Sequence, residues 1–559
     1  MKQSSRAVAL SIVIVMTFLA VTTSQMPTAK ANPGIDDPQN IHLTYQHSPT
    51  TTMTVTWQTF YSISGDIVLY DIIPRSGNPT NYLLAAYGSN HTYSGATGYI
   101  HDVELTNLTP GSIYYFICGG PGNYSAERSF RTAPDTAIDF RFVFGGDSRT
   151  NVGARTQVSQ AMRHFNPSFV LHVGDMVDDG SNQAYWDPWF QDVNNNWIGD
   201  NGLTIPVIPT LGNHENNATN YYQQFALPGN EQWYYYDWGP NLRIIVLNDE
   251  ALPTQISGDE VTWLTNVLNS TPTYMWKIVM FHRNVYQSSG AHGEAADIQG
   301  YWVPVFDKYH VDVVIQGHTH NYARSKPMNN SSPVWSYRVG TLYVTAGGWG
   351  APLADCFNPQ SFFVAESSQY HFVLASIYQN GSMHLEAKDL GGNTFDEVWL
   401  YSPLKYWDFP NGMFVRVQDA NITKPPMLTN DNLTLTISAQ NGTTSSLSVY
   451  CGDRGSPQTI LGLPSWNYDN VTKMLTASGI QCNGTSTFLI SWMNTTNPGP
   501  GPGPGPGPGP GPEPLPTLPV ALIYGVAGFL SVGVAISTLG VIIDERKRRK
   551  GSNKTRRAR

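Results

Sequence analysis

The chain has 559 residues, 41% of them apolar and 13% charged, with 41 acidic residues against 32 basic ones. That length exceeds what one compact core accommodates, and the composition excludes a disordered or fibrous chain, so several folded domains are expected. The acidic balance argues against a protein built to hold polyanions, and no nucleic-acid partner is expected.

The amino terminus reads as a signal peptide over residues 1–31. Lys2 and Arg6 give a basic start, Ala7 to Val21 is apolar, and Ala29-Lys30-Ala31 supplies small residues at a cleavage point, so the mature chain is expected from Asn32. Residues 32–136 carry short alternating runs between Gly, Pro and Asn turns, among them Met53-Thr54-Val55-Thr56-Trp57 and Ile113-Tyr114-Tyr115-Phe116-Ile117. This spacing predicts a small antiparallel β-sandwich. Residues 137–403 differ: solid apolar runs alternate with helix-like segments such as Asp259 to Leu268 and Tyr301 to Tyr309, which predicts a layered α/β domain.

Residues 404–496 return to Thr, Ser and Asn with brief strand signals, Leu433-Thr434-Leu435-Thr436-Ile437 and Phe488-Leu489-Ile490-Ser491-Trp492, and a small β-sandwich-like module is expected there. Pro498 to Pro512 alternates Gly with Pro inside a linker over residues 497–517, a spacer that cannot build a core. Leu518 to Ile543 is an uncharged apolar run of 26 residues, long enough for one transmembrane helix. The basic tail over residues 544–559, with Arg546-Lys547-Arg548-Arg549-Lys550, places the carboxyl terminus in the cytoplasm and everything before the span at the cell surface. Three basic residues precede Asn32 and nine follow Ile543, so the outer part is more acidic than the whole chain.

An outward location permits disulfides among Cys118, Cys356, Cys451 and Cys482. Cys451 with Cys482 is the favoured pair, since both lie in one short segment with no histidine beside them to suggest a zinc site. Asn-x-Ser/Thr triplets at Asn107, Asn217, Asn432, Asn441 and Asn483 are consistent with a glycoprotein.

The chemistry concentrates in the α/β domain. Strand-like Phe140 to Phe144 runs into Gly145-Gly146-Asp147, Phe169 to Val173 into Gly174-Asp175, and Pro206 to Leu211 into Gly212-Asn213-His214-Glu215. Farther on, Trp276 to Phe281 ends in His282, and Val311 to Gln316 in Gly317-His318-Thr319-His320. Open α/β sheets gather ligands beyond the carboxyl ends of their strands, so these five termini can converge. Any one of them alone is more often a turn or a satisfied loop polar group. Together, two Asp, one Asn and three His suit divalent metals of intermediate hardness, with a carboxylate able to bridge two ions. Two such ions can clamp a phosphate, lower the pKa of a bound water and stabilise attacking and leaving oxygens, which is the chemistry of phosphoester hydrolysis.

These motifs resemble the calcineurin-like metallophosphoesterase superfamily, and within it the purple acid phosphatases. The closer resemblance rests on Gly317-His318-Thr319-His320-Asn321-Tyr322-Ala323-Arg324 and, upstream, on Tyr99-Ile100-His101-Asp102-Val103-Glu104-Leu105 with Leu108-Thr109-Pro110-Gly111, which fits that family's fibronectin-like amino-terminal domain. It covers roughly residues 32–389. The implied architecture is a fibronectin type III-like β-sandwich followed by a four-layer α/β/β/α sandwich. The resemblance implies that Asp175 bridges two metals drawn from Fe, Zn and Mn, that Asp147 and His320 bind the first, and that Asn213, His282 and His318 bind the second. It further implies that His214 steers phosphate or protonates the leaving group. His292 matches a second substrate-facing histidine more loosely, and a surface-loop role is equally open.

The sequence departs from the family in two places. The tyrosine expected three residues after the bridging Asp is Asp178, so ferric-tyrosinate colour is not expected. The histidine that other metallophosphoesterases carry two residues after the first Asp is Arg149. Asp178 is read either as a substitute metal ligand or, with Asp179, as the shaper of a turn before Gly180. Arg149 is read either as a bidentate phosphate donor or as a solvated loop residue. The expected function is an extracellular, membrane-anchored phosphomonoesterase of acid phosphatase type. Alternatives are a phosphodiesterase on nucleotides or phospholipid headgroups and a non-catalytic surface binding protein, which the linker, the anchor and Tyr234-Tyr235-Tyr236 would suit.

Overall fold

The alternating runs near the amino end form strands because β-branched and aromatic residues with period two fit a pleated surface buried on one face. A computed structural model of the chain describes residues 37–492, apart from residues 63, 64, 273, 291, 358, 359, 403, 404, 410 and 425 and the side chains at 440 and 483. The expected signal peptide, linker, membrane span and basic tail lie outside the described residues. Among the described residues no helix is long and apolar enough to cross a membrane.

The amino-terminal domain is two antiparallel sheets. One is built on Gln39–Thr44, Met53–Thr59, Ser89–His91 and Tyr99–Leu105, the other on Ile67–Asp71, Leu84–Tyr87, Ile113–Gly120, Asn123–Tyr124 and Arg128–Arg131. Leu43, Val55, Trp57 and Val103 from the first are buried with Val68, Phe116 and Phe130 from the second. The domain is tied to the next by Ile41 N–H donating to Asn194 Oδ1 at 3.0 Å and by His42 Nε2 lying 2.8 Å from the Gln224 carbonyl.

The α/β domain has two larger sheets. In the six-stranded sheet, Val207–Pro209, Val170–His172 and Phe140–Gly145 run parallel, followed by antiparallel His371–Ile377, Ser382–Asp389 and Thr394–Tyr401. In the seven-stranded sheet, Leu242–Val246, Trp276–Met280, Val313–Gln316 and Leu342–Ala346 run parallel, flanked by Tyr234–Trp238 on one side and by Tyr322–Ser325 and Phe363–Ser367 on the other. Parallel strands covered on both faces read as unbroken apolar runs, yet alternate side chains still part company. Ile244, Val246, Ile278 and Met280 join Phe142, Phe144 and Val170 between the sheets. Ile245, Val279 and Phe281 join Leu264, Leu268, Trp302 and Phe306 beneath the helices Val261–Ser270 and Val303–Tyr309. The result is the layered helix–sheet–sheet–helix order, with Val152–Arg163 and Gln183–Asn196 as the other helical face.

An ion pair clasps the two sheets. Asp396, on Thr394–Tyr401, accepts from Arg324 Nε at 2.6 Å, Arg324 Nη2 at 2.8 Å and the Tyr322 hydroxyl at 2.6 Å, both of the latter residues belonging to Tyr322–Ser325.

The strands of the carboxyl-terminal module are hydrogen-bonded into one antiparallel sheet of eight strands. Its axis is the pairing of Asn432–Tyr450 with Met474–Ser491, irregular between Ala439 and Thr443 and between Ser445 and Leu447. Val415, Leu435, Ile437, Val449, Leu475 and Phe488 form its core. The expected Cys451–Cys482 disulfide is not formed: both thiols are buried and free. The register explains why. Tyr450, beside Cys451, faces Met474, whereas Cys482 faces Thr443, so the two cysteines are not cross-strand partners.

Candidate active site

The strand ends of both sheets meet where their loops turn sharply. Asp147, Asp175 and His318 each follow a glycine and each sit at positive φ, at 60°, 53° and 65°. A non-glycine residue in that region costs roughly 1–2 kcal/mol, so three in one place signal a geometry imposed by the surroundings. The glycines permit the close approach. A Cβ on Gly317 would come within 2.6 Å of Asp147 Oδ2, and one on Gly212 within 2.4 Å of Asp175 Oδ1.

Two neighbouring positions result. Around one, His282 Nε2 lies 3.2 Å from Asn213 Oδ1, 3.3 Å from Asp175 Oδ1 and 3.3 Å from His318 Nδ1. Donors on a tetrahedron with arms of ~2.1 Å are about 3.4 Å apart, so this set fits a metal ion. Around the other, His320 Nε2 lies 3.5 Å from Asp147 Oδ1, a buried oxygen with no hydrogen-bond partner among the described residues. The ligand atoms of Asp147, Asp175 and His282 all lie within 4.8 Å of one another. The structure thus brings together Asp147, Asp175, Asn213, His282, His318 and His320.

The electrostatics ask for added positive charge. Burial pushes the Asp147 carboxyl well above its ordinary range, with nearby Asp175 adding to the effect. Burial also opposes charge on Asp175, but His282 and His214 outweigh it and hold that carboxyl below its ordinary value. Burial would lower His282, yet Asp175, Asp147 and Asp249 raise it well above its usual value. Burial first, then His282, depresses His318 to about 2; burial depresses His320 to about 4. Both are neutral imidazoles, the form that ligates metal.

The remaining candidates rim this group. His214 sits half-buried, its Nδ1 2.7 Å from the Asp178 carbonyl and its Nε2 3.8 Å from Asp175 Oδ2. The His292 ring packs on His318 with centroids 4.1 Å apart and lies 6.4 Å from His320. Asp178 faces Arg149: its Oδ1 accepts from Arg149 Nη1 at 2.9 Å and from Thr150 Oγ1 at 3.1 Å. Arg149 also brings Nε to 3.3 Å from Asp175 Oδ2 and Nη2 to 3.4 Å from His320 Nε2.

Several supporting residues carry no role in the sequence reading. Glu215 is fully buried and accepts backbone N–H bonds from Asp175 at 2.8 Å, Met176 at 2.7 Å, Gly212 at 2.7 Å and Val177 at 3.3 Å. Burial and the Asp175 charge push its carboxyl up to about 8, against the N–H donors of Gly212 and Asp175, which favour the ionised form. Asp249 accepts the N–H groups of His282 and Arg283. Asn284 Oδ1 accepts from Thr319 N–H at 3.1 Å and Thr319 Oγ1 at 2.6 Å, fixing the loop between His318 and His320. Asp249 follows the apolar run Ile244 to Leu247 by two residues, so the strand-end signal that marks the candidate ligands extends to it.

Residues 140–322 match the family model described as calcineurin-like phosphoesterase, and residues 38–132 match that of the purple acid phosphatase amino-terminal domain. The chain thus carries a calcineurin-like phosphoesterase domain behind an amino-terminal domain of the purple acid phosphatase type. Mouse (Mus musculus) acid phosphatase type 7 is 27% identical over 424 residues, covering 66% of this chain and 91% of the relative. A phosphoenolpyruvate phosphatase of Allium cepa is 28% identical over 385 residues, covering 60% and 76%. The purple acid phosphatase from yellow lupin (Lupinus luteus) seeds shares the fold with a TM-score of 0.57 at 20% identity, covering 66% of this phosphoesterase and 74% of the lupin chain. This phosphoesterase is therefore a phosphoric ester hydrolase, and its family implies a dinuclear metal centre. A group of residues able to hold metal, Asp147, Asp175 and His282, is present, and Arg149 lies against Asp175 and His320 beside it.

Proposed function

We propose that this phosphoesterase is a phosphomonoesterase that works through two adjoining cation positions, at the cell surface and anchored by its carboxyl-terminal apolar run. The observation that carries this reading is the convergence of Asp175, Asn213, His282 and His318 on one point, with His214 and His292 at its rim. Those four residues would hold a divalent ion such as Mn, Zn or Fe, which supplies Lewis-acid stabilisation of the phosphoryl oxygens. Asp175 faces both positions. His214 moves the proton. With Nδ1 donating to the Asp178 carbonyl, its Nε2 points toward the substrate side of Asp175, where in the protonated form it can donate to the departing alkoxide. His292, packed on His318 with its ring tilted, offers an edge to the phosphate. Relatives named as acid phosphatase and phosphoenolpyruvate phosphatase support monoesters over diesters. Exposed Asn107, Asn217 and Asn441 are consistent with glycosylation of an outward-facing domain.

The test is hydrolysis of an aryl phosphate monoester and the matching diester by purified full-length protein, with metal content measured on the same sample. Monoester turnover that disappears with chelation and returns with divalent ion is expected. Preference for the diester would replace the monoesterase reading, and protein that neither turns over nor retains metal would sink it.

A further inference from the structure

The position around His320 already holds a cation. The Arg149 guanidinium lies against Asp175 Oδ2 at 3.3 Å through Nε, against Asp178 Oδ1 at 2.9 Å through Nη1 and against His320 Nε2 at 3.4 Å through Nη2. Its side chain is only 15% exposed. His320 presents an acceptor to it, because Nδ1 is 2.8 Å from the Pro352 carbonyl and donates there, which leaves the Nε2 lone pair facing the guanidinium. The backbone fixes the arginine as well: its N–H donates to the Asp175 carbonyl at 3.2 Å, and Thr150 beyond it adopts φ 68°. Three of the groups that would surround a first metal thus engage one side chain whose charge cannot be titrated away. Asp178, standing where the family carries tyrosine, is the arginine's anchor.

We propose that this chain is a one-metal phosphoesterase in which the Arg149 guanidinium takes the first cation position and, with the ion held by Asp175, Asn213, His282 and His318, completes the clamp on the phosphoryl group. The proposal rests on the phosphoesterase reading above and on a metal at the His282 position. The fork of Arg149 compensates Asp175 and Asp178 at rest, and a phosphate entering between it and the ion finds two positive groups on neighbouring sides. A second divalent ion would have to displace the guanidinium from three contacts and enter beside its positive charge. The departures at Asp178 and Arg149 then form one unit: the carboxylate at the position where the resemblance places tyrosine holds the arginine.

Metal stoichiometry tests this without relying on turnover. Chelator-stripped full-length protein is titrated with Mn²⁺, and the bound ion is counted by calorimetry and examined by electron paramagnetic resonance. One tight ion per chain with a six-line mononuclear spectrum is expected for the wild type. Arg149→Ala and Asp178→Asn are expected to admit a second ion, with its affinity raised on the order of 100-fold in Arg149→Ala, and a spin-coupled spectrum. Wild type that takes two ions with affinities within tenfold, or that shows a coupled spectrum, overturns the proposal while leaving the phosphoesterase reading intact. Folded Arg149→Ala that still binds one ion also overturns it, because the guanidinium then excludes nothing. No bound ion in any of the proteins would instead overturn the reading of the His282 position. Should Arg149→Ala fail to fold, the wild-type count and spectrum still decide.

Discussion

Glu215 offers the sharpest test of how the site is held in shape. Its buried carboxylate gathers four backbone N–H groups from two separate loops, and one of them belongs to Asp175, which stands at φ 53°. Glu215→Gln keeps the volume but turns one acceptor oxygen into an NH₂ group facing donors. On the order of two charge-assisted hydrogen bonds are lost, at roughly 1.5–3 kcal/mol each, partly recovered by local shifts. A destabilisation of about 3 kcal/mol follows, a fall of roughly 6–12 °C in melting temperature for a domain of this size. Because the Asp175 loop is released from its left-handed turn, metal affinity should also fall by about 10–100-fold. The assay is thermal unfolding of metal-free protein together with Mn²⁺ titration. A variant that melts within ~1 °C of wild type and binds Mn²⁺ unchanged would refute the claim that this carboxylate shapes the site.

Asp175→Asn should lower phosphomonoester turnover at least about 1,000-fold while circular dichroism stays unchanged, since a neutral amide cannot compensate cations on both sides; retained turnover would remove Asp175 from its central role. Asp396→Ala leaves Arg324 and the Tyr322 hydroxyl without their shared partner and should cost about 2–3 kcal/mol in chemical denaturation, with little change in metal affinity. His371 is fully buried and depressed to about 4 by burial, so the folded state prefers it neutral and the unfolded chain takes up the proton first. Its contribution is fully present above about pH 6.5 and is lost as pH falls toward 4, at most about 3 kcal/mol. Urea midpoints of wild type measured across that range should fall with acid, and His371→Gln should flatten the slope.

Much of this was legible in the sequence because strand ends in an α/β sheet are marked twice, by an apolar run and by the glycine that ends it. Asp147, Asp175, Asn213, His318 and, two residues on, His320 carry that double mark, His282 carries only the apolar run that it ends, and the structure gathers all six. What stayed hidden depends on contacts distant in sequence. Glu215 reads as the tail of a Gly-Asn-His-Glu motif until the Asp175 loop folds over it. Asp178 and Arg149 read as separate oddities, and only the fold shows that they form one ion pair. The disulfide expectation failed for a related reason. Proximity of Cys451 and Cys482 along the chain says nothing of register, and the long pairing of Asn432–Tyr450 with Met474–Ser491 sets them at different heights.

The left-handed residues at the three strand ends place this fold under a standing tension. Asp147, Asp175 and His318 occupy the backbone conformations that glycine would fill with least strain. Selection for stability alone would erode the site at these very positions, whereas selection for turnover keeps the strained residues and must recover the deficit elsewhere. The double apolar core, fed by alternate side chains of the same strands, is the reserve that makes this tolerable: it is large enough that three unfavourable dihedrals remain a small fraction of what holds the domain together.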